Sequence, residues 1–205
     1  MRPVVAAVLL LIACSELRTP AAERPPTDWR FTPGASFGLL LATSSEQDLA
    51  SAFGAGAVEP TQIHLGEGTF APGTLVFRND PLRTFSVTWR DTIARRTPES
   101  VRLTGDTSRW TTTTGIGLGT PLSELERLNG GPVGITGFGW DYGGTITDWR
   151  GGKLAPLTGR MIMSVTPRDT AADVSSVLGD SVFTSSDSAF GRLQPRVTRI
   201  IIWFE

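Results

Sequence analysis

The chain contains one cysteine, one histidine, one tyrosine and one lysine, and each scarcity excludes something. A lone thiol, Cys14, cannot close an intramolecular disulfide, and left free in an oxidising compartment it is a liability, so it needs another reason to be present. One histidine, His64, with one cysteine leaves a zinc site to be filled mostly by carboxylates, an uncommon donor set. Lys153 is the only lysine against eighteen arginines, which leaves almost no candidate for lysine-based covalent catalysis. His64 has no pattern around it, so a Ser-His-Asp reading lacks support. The formal net charge is −1 with the signs interspersed; there is no basic stripe, and nucleic acid is not an expected partner. The stretch "TGIGLGTP", Thr114 to Pro121, has G-x-G-x-G spacing rather than G-x-G-x-x-G and no lysine follows, so neither a dinucleotide nor a phosphate loop is indicated. No cofactor is expected.

Long hydrophobic runs are also missing. Val4 to Ala13 is about half the length of a membrane span, and the later runs "FGLLLA", "MIMSV" and "IIIWF" are strand-length. With Arg2 ahead of it, the first run has the layout of a signal peptide. It closes on Leu11-Ile12-Ala13-Cys14, which resembles the bacterial lipobox. That resemblance implies a signal peptide over 1–13, cleavage before Cys14, and acylation of its thiol and new amine. Several acyl chains on one residue suffice for stable anchoring. The alternative is an ordinary secretory leader whose cysteine is incidental. Ser15 stands where an aspartate would resemble an inner-membrane retention signal. The implied address is therefore the cell envelope, on the periplasmic face of the outer membrane if the host has two membranes. Residues 14–32, rich in proline and charge, read as a lipid-anchored tether, with folded structure from about 33 to 205.

That remainder contains a repeated pattern. Gly38–Gly54 ("GLLLATSSEQDLASAFG") and Gly115–Gly131 ("GIGLGTPLSELERLNGG") each run from a short apolar strand through a hydroxyl cap and a helix to a glycine stop. Thr43 or Ser44, and Thr120, are the expected N-caps, with Pro121 in the first turn. Leu49, Ala52 and Phe53, and Leu122, Leu125 and Leu128, form the inward stripes. Gly54 and Gly130 are the expected stops. A third, weaker helix is expected in "TPRDTAADVSSVLGD" with Val174, Val177 and Leu178 inward. Strand-like segments broken by glycine follow each helix, and "RVTRIIIWFE" closes the chain as a strand. The expected fold is α+β, with duplicated strand-helix-antiparallel-sheet modules (about 33–106 and 107–205) and helices packed on one face of the sheet. Two half-domains split near Thr107 are the alternative.

"LGTPLSELERLNGGPV" (Leu118–Val133), with Trp140 and Tyr142 after it, resembles the SmpA/OmlA class of outer-membrane lipoproteins. A tandem pair of such modules is similar to the β-lactamase-inhibitor-protein fold. The first copy lacks the glycine-proline ending, so the assembly role of the SmpA/OmlA class does not carry over. Both resemblances imply an interaction module, hence an envelope protein as partner beside the membrane itself. Nothing in the sequence sets the oligomeric state.

The candidate contact residues lie in "ITGFGWDYGG": Phe138, Trp140, Asp141 and Tyr142, with a counterpart around Leu65–Phe70. Aromatic side chains on a rigid turn bury much area at little entropic cost. A carbohydrate or peptidoglycan platform, or a weak hydrolase pairing Asp141 with Asp148, is the alternative. His64 should share the polar face of its strand with Gln62. Trp89 and Trp203 should lie in the core, Trp110 and Trp149 at strand ends with a wet indole N–H. Trp140 is the open case, either a plug under the glycine turn or an exposed contact.

Overall fold

The computed structural model describes residues 28–205; the expected signal peptide, Cys14 and the expected tether up to Thr27 lie outside the described residues. The described chain begins with three two-residue strands, β1 (Phe31–Thr32), β2 (Ser36–Phe37) and β3 (Leu40–Leu41), followed by α1 (Glu46–Phe53). Four longer strands follow: β4 (Val58–Gly66), β5 (Thr69–Val76), β6 (Phe85–Asp91) and β7 (Arg96–Thr104). Then come α2 (Leu122–Asn129), β8 (Gly134–Thr136), β9 (Ile146–Asp148), β10 (Met161–Thr166), β11 (Val182–Thr184), α3 (Ser188–Leu193) and β12 (Arg196–Trp203). The fold is α+β and dominated by antiparallel sheet. Its main sheet has six strands in the order β10-β12-β7-β6-β5-β4, and β1-β2-β3 and β11-β8-β9 form two small sheets. The strands after the two repeated helices are laid out differently. A four-strand meander follows α1, whereas the segments after α2 divide between the β11-β8-β9 sheet and the β10/β12 end of the large one.

Local chemistry accounts for the elements. The β4–β5 hairpin turns at Glu67 and Gly68, both with positive φ, the signature of a two-residue turn whose twist matches that of its strands. Helix α1 is capped by Ser45, not by Thr43 or Ser44. The Ser45 hydroxyl accepts from the Asp48 amide while the Asp48 carboxylate accepts from the Ser45 amide, a reciprocal box that neither neighbour can form from its position. The Ser44 hydroxyl accepts from the Leu41 amide instead. Thr120 does not cap α2 either: Pro121 occupies that place without a side-chain bond, and Thr120 Oγ1 accepts from the Gly117 amide. The Leu122 amide donates to the Pro195 carbonyl, so tertiary structure does the work of a cap. Gly130 stops α2 in the left-handed region, and Gly54 ends α1 with φ 90° but an extended ψ of 142°.

The third expected helix is a correction. Only Ser175–Val177 forms a 3₁₀ turn; Val177 is buried but Leu178 is exposed. The actual third helix is α3, capped by Asp187, with Ala189, Phe190 and Leu193 inward. Its six residues are too short for a periodic pattern to announce them. The fold also begins earlier than expected: the Trp29 carbonyl accepts from the Thr111 amide, Trp29 packs edge-on against Trp110, and Phe31 is buried.

One continuous hydrophobic cluster draws Leu49 and Phe53 of α1, Leu122 and Leu125 of α2, and one face of the large sheet. Strand alternation and the pairing register send Val87, Val101, Leu103, Met161, Met163, Ile200 and Ile202 to that side. Trp89 lies there as expected, and Trp110 is wholly buried, with Nε1 donating to the Arg83 carbonyl rather than to water. Trp203 departs from expectation. Ile200 and Ile202 take the inward positions of β12, so Trp203 shares the opposite, half-exposed face with Arg199 and Ile201.

Candidate functional site

The opposite face of the large sheet presents Ile162 and Ser164 from β10; Arg199, Ile201 and Trp203 from β12; Ser100 and Arg102 from β7; and Thr88 from β6. It curls on itself. Arg102 donates from Nη1 to the His64 carbonyl on β4 at 2.6 Å, although two strands lie between β7 and β4. This sheet twist and coil carries the tip of the β4–β5 hairpin back over the open face.

Loop 137–144 meets that hairpin from the other side. Asp141 Oδ2 accepts from the Glu67 amide at 2.7 Å, and the Tyr142 ring lies against Gly66, where an added Cβ would come within 3.0 Å of the hydroxyl. Arg199 donates from Nη1 and Nη2 to the Asp141 carbonyl at 3.2 and 3.3 Å, and from Nη2 to Ser164 Oγ at 2.9 Å. The two loops singled out in the sequence, 137–144 and 65–70, are thus in direct contact.

The candidate contact residues separate into two groups. Phe138 is not a surface residue: it is buried against Phe190, and its backbone exchanges hydrogen bonds with Val177 and Gly179. An added Cβ on Gly137 would stand 2.6 Å from the carbonyl oxygens of both Val177 and Gly179, so this glycine is required by the backbone approach. Trp140 and Tyr142 keep 40% and 38% of their surface exposed. Trp140 is both plug and contact: its indole N–H closes the turn by donating to the Gly137 carbonyl at 3.1 Å while the ring remains half in solvent. The two rings meet edge to face at 75°, which is not a flat stacking platform for a sugar. Asp141 and Asp148 serve separate turns, Asp148 Oδ1 accepting from the Arg150 amide. His64 is exposed alongside Gln62 and stacks on Phe70 at 4.9 Å.

Between hairpin tip, loop and sheet lies a half-open groove of ≈ 320 Å³. Ile162, Ile201 and Trp203 form much of its floor, and Leu65 and Tyr142 stand at its sides. Its hydroxyls satisfy one another: Thr88 pairs with Ser100 at 2.8 Å and Thr145 with Ser164 at 3.0 Å. Its cations bond neutral oxygens, and Glu99, which also lines the groove, is exposed and pairs with neither of them. Among the described residues neither Arg102 nor Arg199 forms an ion pair with a carboxylate. Arg102 Nε is buried with nothing to bond, a costly state for a polar atom. Burial, and then the neighbouring Arg199 charge, hold the Arg102 guanidinium below its ordinary pKa.

Arg102, Arg199, Ile162, Ile201 and Trp203 carry no motif, and no sequence expectation joins them to the Leu65–Phe70 segment. The one signal available was a charged residue in mid-strand, as in Ser100-Val101-Arg102-Leu103 and Val197-Thr198-Arg199-Ile200. Which strands lie side by side could not be read from it. No known protein family, curated protein sequence or solved structure matches the chain.

Proposed function

We propose that the protein is a non-catalytic binding protein of the bacterial cell envelope. In this reading it is held to the membrane by acylated Cys14 and takes an apolar-bodied envelope component in the groove between the curled sheet and loop 137–144. The observation that supports it most is the groove itself. Ile162, Ile201, Trp203, Leu65 and Tyr142 present apolar side chains to solvent on a rigid, hydrogen-bonded frame, and the mainly apolar lining with few polar groups is the usual character of ligand sites.

The sheet face also selects among occupants. Backbone N–H and C=O groups here are engaged in the ladders with neighbouring strands, so a peptide laid across them would leave its own amides unpaired. Such groups are expensive to bury. An occupant with an apolar body and no backbone to satisfy suits the face better.

The test uses the neutral fluorescent probe N-phenyl-1-naphthylamine with the acyl-free chain produced by Cys14→Ser. Fluorescence enhancement that saturates at one probe per chain, and that Ile201→Gln weakens by about tenfold, is the expected result; that loss corresponds to removing one buried apolar side chain. No saturable enhancement, or an unchanged affinity in Ile201→Gln, would overturn the groove reading. The same Cys14→Ser chain should leave the membrane fraction, whereas continued tight membrane association would defeat the anchor.

A further inference from the structure

The groove's ligand class can be narrowed from its charge. We infer that the groove binds an anionic amphiphile, a linear apolar chain ending in a carboxylate-like head, with the head held between Arg102 and Arg199. The inference rests on the groove reading above and adds the head group to it.

Three observations carry it. First, two like charges from the neighbouring strands β7 and β12 line the same half-buried groove, and burial, then the Arg199 charge, disfavour the charged form of Arg102. Like charges held in reduced dielectric repel, and an anion placed between them turns a repulsion into two attractions. Second, the donors are incompletely used. Arg102 spends Nη1 on the His64 carbonyl and shows no bond from Nη2 among the described residues, while Arg199 bonds only neutral oxygens, the Asp141 carbonyl and Ser164 Oγ. Guanidinium groups form their strongest hydrogen bonds with carboxylates and phosphates. Third, the charge lies at the edge of apolar surface: Ile162, Ile201 and Trp203 continue the same face, with Leu65 opposite. A free anion would use the arginines and leave that surface wet, and a neutral chain would use the surface and leave the arginines unpaired. Only a molecule with both parts matches both.

Other concavities differ: the one beside Arg168 and Arg192 is bounded by the Asp169 carboxylate and has only Ala172 and Leu193 as apolar lining. The cleft between α2 and α3 is larger, ≈ 420 Å³. Its Glu126, however, accepts from Ser185, and Ser185 accepts from the Val133 amide, and the cleft's one arginine, Arg196, shares it with the Glu126 carboxylate. The pocket beside Arg78 and Arg83 has both cations paired, with Glu59 and Asp80.

The test is displacement of the neutral probe from the acyl-free chain by dodecanoate, dodecanol, sodium acetate and the tripeptide Leu-Leu-Leu, each below any aggregating concentration. Dodecanoate should displace at least about tenfold more effectively than dodecanol, the worth of roughly one charge-assisted hydrogen bond, and acetate should not displace at all. Arg102→Gln should remove most of the preference for dodecanoate and leave dodecanol unchanged, whereas Arg102→Lys should keep part of it. Circular dichroism identifies any variant that fails to fold; the wild-type dodecanoate/dodecanol comparison decides the matter without one. Equal displacement by dodecanoate and dodecanol would overturn the anionic head while leaving the groove reading intact. Displacement by acetate alone would replace the amphiphile with a simple anion, and stronger displacement by Leu-Leu-Leu would replace it with a peptide carboxylate. Absence of probe binding would remove both readings together.

Discussion

Gly144→Ala is the sharpest perturbation of the frame around the groove. Gly144 has φ +69°, and a Cβ added there would stand well inside van der Waals contact with the Val165 carbonyl oxygen and 2.9 Å from the Phe138 ring. Its carbonyl accepts from the Val165 amide at 2.9 Å, the bond that fastens loop 137–144 to β10. Gly68, in the β4–β5 turn, is the matching control: its φ is +71° and nothing lies within 4 Å of the same added atom. Gly68→Ala should therefore cost only the left-handed conformation, about 1–2 kcal/mol. Gly144→Ala carries that cost and must also push the loop off β10, losing the Val165 bond and leaving a donor unpaired, about 1–3 kcal/mol more. The totals are about 1–2 kcal/mol for Gly68→Ala against roughly 2–5 kcal/mol for Gly144→Ala. For a domain of this size each kcal/mol lowers Tm by roughly 2–4 °C, so the extra ~1–3 kcal/mol should separate the two variants by roughly 2–12 °C. Urea denaturation at constant m-value and thermal melting by circular dichroism read both quantities. Probe binding in the groove should fall for Gly144→Ala and hold for Gly68→Ala. Two variants destabilised equally, within about 0.5 kcal/mol, would refute the argument that close backbone approach, rather than positive φ alone, requires glycine at 144.

Two further outcomes follow from the network at the start of α1. Hydrogen bonds from the Ser45 amide and hydroxyl hold the Asp48 carboxyl below its ordinary pKa of 3.8. A depressed folded-state pKa stabilises above the unfolded value and is lost as pH falls through the folded one. Wild-type Tm should therefore decline from about pH 4 downward, and Asp48→Asn should show a shallower decline; superimposable pH profiles would reject the capping box as a source of stability. Trp89 Nε1 donates to Thr74 Oγ1 at 2.9 Å, Thr74 donates to Glu46 Oε1 at 2.6 Å, and Arg95 donates to Glu46 Oε2 at 2.8 Å. Trp89→Phe should cost about 2–3 kcal/mol through lost volume and the loss of the hydrogen bond that the Thr74 hydroxyl accepts. In a double-mutant cycle with Thr74→Val the combined loss should fall short of the sum by at least about 0.5 kcal/mol, and strict additivity in urea denaturation would show that the chain of bonds does not act as a unit.

Particular residues show where sequence and structure part. Leu122, Leu125 and Gly130 were legible because a helix places residues three and four apart on one face and because a left-handed stop favours glycine. Thr43 and Thr120 were misread as caps because a hydroxyl in the right neighbourhood is only half of the requirement. The other half is which amide lacks a partner, and at α2 the Pro195 carbonyl had already taken it. Trp203 was misplaced because a run of apolar residues does not declare which parity faces inward; Ile200 and Ile202 settled that through their register with Val101 and Leu103.

The amino-acid sequence by itself determined the α+β character, the two main helices and their inward stripes, and the glycine-rich loop as a place of interest, all through interactions within a few residues of one another. Tertiary structure alone decided that β12 enters between β10 and β7, that the sheet curls until β7 reaches β4, and that loop 137–144 closes on the β4–β5 turn. Those contacts join residues dozens of positions apart, and their energy depends on strand order and twist rather than on local pattern. Arg102 and Arg199 are ordinary charged residues in the sequence; the register of two neighbouring strands turns them into a pair.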